Sequence, residues 1–213
     1  TLFPYTTLFR SSTFVAQVLS DNLGCAPLGN YATIFPRSKI LIPKLLKRFY
    51  NPNKKGKAKK YKSYYGISMG IFSIGDCYEV WDRWMGNDHY NRPENLTSKK
   101  KEKMANYLKW LQHSWGMPLI TKNNRNSLVL KTIHKSVPNA FFVMVLRNPA
   151  DVIQSTMQAS RDFFGNDEIM WGLRPRKTFS YDNYKDKLDA YCHQYIDLED
   201  SIRHDLTSLP EED

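Results

Sequence analysis

The apolar positions of this chain fall into short periodic runs separated by polar and proline-marked breaks. Over residues 12–23, Phe14, Val15, Val18 and Leu19 recur on one side of a helix that Gly24 closes. A second amphipathic segment is predicted over residues 36–50. Met104, Leu108, Leu111 and Trp115 set an inward stripe on a helix over residues 98–115. Residues 118–122, PLITK, are apolar and strand-prone, and break at Asn123-Asn124. A helix over residues 128–136 follows and ends before Pro138. Residues 140–146, AFFVMVL, are an unbroken apolar run without alternation, which predicts a strand buried on both faces. Arg147-Asn148-Pro149 ends that strand, and Pro149 suits the first position of a helix running to Ser160. Tyr181, Tyr184, Leu188, Tyr191, Tyr195, Leu198, Ile202 and Leu206 predict a last helix with a single buried stripe. Strand, helix, strand, helix in that order predicts an α/β domain: a short parallel sheet flanked by helices.

Composition narrows the class. With 213 residues, 41% hydrophobic and 14% aromatic, the chain can bury a real core, which excludes wholesale disorder. No window approaches the roughly 18 consecutive apolar residues of a membrane span. Cys25, Cys77 and Cys192 are too few and too scattered for a disulfide framework or zinc cluster, and the histidines form no metal-ligand spacing. No metal is therefore expected. The net charge of +10 points to anionic partners: nucleic acid, phosphorylated cofactors, sulfated glycans or acidic membranes. Residues 53–62, NKKGKAKKYK, read first as an exposed charge run and second as an anion-binding lip.

The ends carry their own expectations. Residues 1–11, TLFPYTTLFRS, match the translation of a widely used sequencing-adapter oligonucleotide, so they are read as foreign and set apart from functional reasoning. The alternative is a genuine strand, with Leu8 and Phe9 paired to a sheet edge. No basic stretch leads into an apolar one here, so the N-terminus is not read as a signal peptide. After the last helix come Ser208, Pro210 and Asp213 with no strand to follow. The expected organisation is 1–11 adapter-derived and 12–213 a partial domain, cut at both ends.

The candidate chemistry lies in residues 140–160. A buried parallel strand delivers Arg147 at its carboxyl end, where open α/β sheets bind ligands. The helix begun by Pro149 turns its free N–H groups to the same crevice, and Ser155 stands eight residues after the arginine. An arginine fork with a hydroxyl near a helix start makes a phosphate clamp; a structural salt bridge is the plainer reading of Arg147.

This stretch resembles the 3′-phosphate-binding signature of sulfotransferases that use 3′-phosphoadenosine 5′-phosphosulfate (PAPS), in which a strand ends in Arg-(Asp/Asn)-Pro and a serine follows eight residues after the arginine. Lys122-Asn123-Asn124, a helix, and then Val137-Pro138-Asn139-Ala140 resemble the family's Lys-(Asn/Asp)-Pro, helix, Phe-Pro-(Asp/Asn)-Ala run. Asn124 stands where proline is usual. The resemblance covers residues 12–209 and fits the bacterial, carbohydrate and tyrosylprotein branch. It implies a three-layer P-loop-like fold in which Arg147 and Ser155 hold the 3′-phosphate and Ser12 and Thr13 hold the 5′-phosphosulfate. Lys122 would stand near the transferring group. The family's loop, commonly Arg-Ser-Gly-(Thr/Ser)-(Thr/Ser), would put its glycine at Ser11, its serine at Arg10 and its cation at Phe9. All three depart from the pattern, and the chain as written is expected to be inactive.

The acceptor's proton would go to a carboxylate or histidine between the two cofactor motifs. Glu79 ranks ahead of Asp76, Asp82 and His89, although an acid at a helix start also simply complements the dipole. Trp81, Trp84 and Tyr90 are read as packing, with a rim role open. The implied partners are the nucleotide donor and an acceptor hydroxyl or amine on a glycan, a protein tyrosine or a small molecule. A nucleotide kinase or NTPase would share the fold, but no Gly-x-x-x-x-Gly-Lys-(Ser/Thr) loop is present. A basic nucleic-acid-binding module rests on the lysine run and the net charge of +10. The cytoplasm is placed ahead of a Golgi lumen.

Overall fold

A computed structural model describes residues 2–5, 11–50, 63–64, 67–93, 96–166, 168–175 and 180–209. The lysine run, Leu8, Phe9 and Arg10 lie outside the described residues. In chain order the elements are β1 (Leu2–Tyr5), α1 (Ser11–Asn22), β2 (Ala26–Pro27), α2 (Asn30–Ile34), α3 (Leu41–Lys47), β3 (Ser63–Tyr64) and β4 (Ile67–Ser68). Then follow α4 (Tyr78–Met85), α5 (Ser98–Trp115), β5 (Leu119–Ile120), a 3-10 helix (Asn124–Leu128), α6 (Leu130–Ser136), β6 (Phe141–Met144), α7 (Pro149–Phe164), a 3-10 turn (Tyr181–Asn183) and α8 (Lys187–Thr207).

Four strands pair in the order β2-β5-β1-β6, every pair parallel. Leu2 stands opposite both Ile120 and Phe141, and the β1–β6 ladder continues to Tyr5 opposite Met144. Part of the adapter-like segment thus occupies an interior slot of the sheet, with Pro4, which has no N–H to donate, opposite Val143. Because all four strands run the same way, their carboxyl ends share one edge. β3 and β4 form a separate antiparallel hairpin.

The main core gathers α4, α5, α6 and the sheet. Trp81, Trp115, Tyr31, Met104 and Leu108 are buried in it, and the Trp115 indole N–H donates to the Tyr31 hydroxyl at 3.0 Å. The α5 stripe predicted from spacing is the one buried, and Gly116 ends that helix at φ +65°, where a Cβ would be strained.

Four expectations are corrected. β6 is not buried on both faces: Phe141 is 59% exposed and Leu146 54%. It is the outermost strand of the described sheet, so one flank has no neighbouring strand to cover it. On α1 the predicted face is rotated. Phe14 is half exposed, while Ser12, Thr13, Ala16 and Ser20 are buried. Small side chains let this helix lie close to β5, with Ala16 and Ile120 in one cluster. Residues 36–50 hold only the short α3 as helix. The last helix starts at Lys187, not Tyr181, because the Asp186 side chain caps it by accepting from the Asp189 N–H at 2.9 Å. Leu188 faces outward there, and Gln194 and Asp205 join the buried stripe.

Candidate functional site

At the shared carboxyl edge Lys122 follows β5 and Arg147 follows β6, whereas Glu79 is carried on α4 and Ser155 two turns into α7. α1 begins at that edge after β1, and its first buried residues are Ser12 and Thr13, each 0% exposed. Neither Ser12 Oγ nor Thr13 Oγ1 has a hydrogen-bond partner among the described residues. A buried hydroxyl left unpaired costs about 1–3 kcal/mol. Thr121 Oγ1, just beyond β5, is buried and unpaired in the same way. Two orphaned hydroxyls in the first turn of a 12-residue helix, where backbone N–H groups also lack intrahelical partners, fit an anion.

Beyond β6, Arg147 is one-third exposed and meets only the carboxylate of Asp151, at 3.7 Å, among its described ion-pair partners. That looseness leaves the guanidinium able to take a phosphate. Asn148 caps α7 by accepting from the Ala150 N–H at 2.9 Å, and Pro149 occupies the first turn as expected. Ser155 lies two turns in, half-buried.

Beyond β5, Lys122 is 0% exposed, and its ammonium donates to both carboxylate oxygens of Asp76 at 2.8 Å. The Asn124 backbone N–H donates to the same carboxylate at 3.1 Å, and the Asn123 amide donates to the Asp76 carbonyl at 2.6 Å. Next to Asp76, Cys77 has φ +47°, the one non-glycine residue in this region of backbone space among those described. That conformation costs an L-residue about 1–2 kcal/mol, and it is held by the clamp on Asp76 and by the Cys77 thiol, which donates to Leu28 O at 3.2 Å. Burial pushes the thiol up to about 12. Asp76 is a site residue that Lys122 alone could not reveal, since 46 positions separate them.

Beside this corner opens a cleft of about 330 Å³. Asp76, Glu79, His89, Tyr90, Phe163 and Trp171 contribute to its lining. Glu79 is exposed in the first turn of α4. His89 Nε2 lies 2.9 Å from Asp82 Oδ2, and its ring stacks on Tyr78 at 4.1 Å. Asp82 also accepts from Arg125, which is fully buried and donates further to the Met85 and Gly86 carbonyls at the end of α4. Burial holds the Arg125 pKa below its usual value against the pull of Asp82. Trp81 and Trp84 are core, whereas Tyr90 stands on the cleft rim. Sequence reasoning missed Phe163 and Trp171, whose rings stack at 4.2 Å; neither falls on a motif. Among the described residues, no group of acids, cysteines and histidines is placed to hold a metal, and no helix is long and apolar enough to cross a membrane.

A parallel sheet flanked by helices, with its candidate residues following the carboxyl ends of the strands, defines an α/β domain. Its residues 8–211 match the sulfotransferase family, and the chain belongs to that family. No curated protein and no solved structure matches it.

Proposed function

We propose that the chain moves a sulfuryl group from PAPS to a hydroxyl or amine. The orphaned, buried hydroxyls of Ser12 and Thr13, on the same sheet edge as Arg147, carry this reading. The bound donor would supply an activated sulfuryl group. Ser12 and Thr13 would donate to its 5′-phosphosulfate, and Arg147 and Ser155 would grip its 3′-phosphate. Lys122, though engaged by Asp76, would lie near the transferring group and neutralise the charge that develops there. Glu79, open to the cleft, would take the acceptor's proton. Phe9 and Ser11 stand where the family has its cation and glycine, so the phosphosulfate cradle would be incomplete and turnover would await a restored loop.

The test is nucleotide binding. Arg147→Ala should cost roughly 1.5–3 kcal/mol for adenosine 3′,5′-bisphosphate while leaving adenosine 5′-phosphate unchanged, both read by calorimetry. Equal losses for the two ligands would make Arg147 structural. A steep salt dependence of oligonucleotide binding would favour the nucleic-acid reading instead.

A further inference from the structure

The chain carries a net charge of +10, yet among the described residues no lysine or arginine lines the cleft beside α4. Two neighbouring cations are paired: Lys122 with Asp76, and Arg125 with Asp82. What faces the cleft is rich in hydrogen-bond acceptors. Asp76 and Glu79 bring carboxylates, and Asn124, 4% exposed, brings an Oδ1 with no partner among the described residues. The far side holds the Phe163–Trp171 stack, with interplanar angle 11°, and Tyr90 stands at the rim.

Asn124 stands where the resemblance puts a proline. Asn123 before it has φ −156° and ψ 129°, the extended conformation that precedes prolines. The backbone thus keeps the shape a proline would take. What the asparagine adds is chemistry: a backbone N–H for Asp76 and a side-chain carbonyl in the cleft wall.

We infer that the cleft admits a neutral or amine-bearing ring compound that presents a hydroxyl or amino donor, and that it rejects anionic acceptors. The ring lies on the Phe163–Trp171 wall, and its donor meets Asn124 Oδ1 and the carboxylates. An anionic acceptor would bring like charge against Glu79, with no lysine or arginine among the described lining residues to offset it. This deepens the sulfotransfer reading and rests on it only for the word acceptor.

Equilibrium dialysis with three probes tests it: neutral 2-naphthol, cationic 2-naphthylmethylamine and anionic 6-hydroxy-2-naphthoate. The first two should bind saturably, and the carboxylate at least about tenfold more weakly, a gap of ~1.4 kcal/mol. Glu79→Gln should narrow that gap. Asn124→Pro should weaken naphthol several-fold in a chain whose thermal melt remains cooperative. Equal affinity for naphthol and carboxylate, or no binding of any probe, overturns the inference. Naphthol binding as expected with no binding of adenosine 3′,5′-bisphosphate removes the sulfotransfer reading and leaves the cleft's ligand class standing. The reverse pattern removes the ligand class alone.

Discussion

The carboxylate of Asp76 accepts both of its ammonium hydrogen bonds from a lysine that water does not reach. Removing one partner of such a buried pair strands the other charge, which costs about 3–5 kcal/mol. Asp76→Asn should therefore lower unfolding stability by that order in urea titrations. Adding Lys122→Met to it should recover part of the loss, because the stranded ammonium is gone. A loss below about 1 kcal/mol for Asp76→Asn would mean that solvent screens the pair. At this scale the sequence shows one half of each arrangement. Lys122 and Arg147 stand in spaced motifs. Asp76 and Arg125 do not, since their partners lie 46 and 43 positions away and local periodicity carries no trace of them.

Elements are legible where a single burial pattern decides them, as in α5, whose four predicted inward residues are all buried. They are misread where a neighbour decides. The apolar run of β6 looks like a strand with two covered faces, but its cover depends on what lies alongside it. The face of α1 is set by what packs on it, since Ala16 shares a buried cluster with Cys25, Ile74 and Ile120 while bulky Phe14 stays half exposed. Nothing local marks the two-residue strand β2 as a sheet member, whereas β5 falls inside the strand-prone run 118–122. One connection between elements is concentrated in a single side chain. Arg125 caps the end of α4 and holds Asp82 from the 3-10 helix. Arg125→Ala should lose roughly 3 kcal/mol and raise amide exchange at residues 82–86 more than in α5. Uniform acceleration across both helices would show that the arginine has no local role.

Across the whole molecule, several weak acids are kept neutral by burial. The Cys77 thiol is pushed from its usual 9.0 up to about 12, and burial also raises the Tyr31 and Tyr78 phenols above their usual 10.0. Between about pH 9 and 12 the unfolded chain sheds these protons while the folded chain keeps them, so stability falls as pH rises. Below about pH 9 the contribution is fully present. The urea midpoint should therefore drop steadily above about pH 9, and Cys77→Ala should flatten that slope; an unchanged slope in the variant would show that the thiol ionises freely in the fold. The distribution of fixed charge has a kinetic side as well. On the proposed sulfotransfer reading, a net charge of +10 would draw an anionic donor from a distance, whereas a cleft with no lysine or arginine among its described lining residues would give a neutral acceptor no such pull. At physiological ionic strength the Debye length is about 8 Å, so dissolved ions blunt the first attraction and scarcely touch ring contact at the second. Salt becomes a control that acts on one of two substrates, changing how often the donor arrives while the acceptor's residence stays the same.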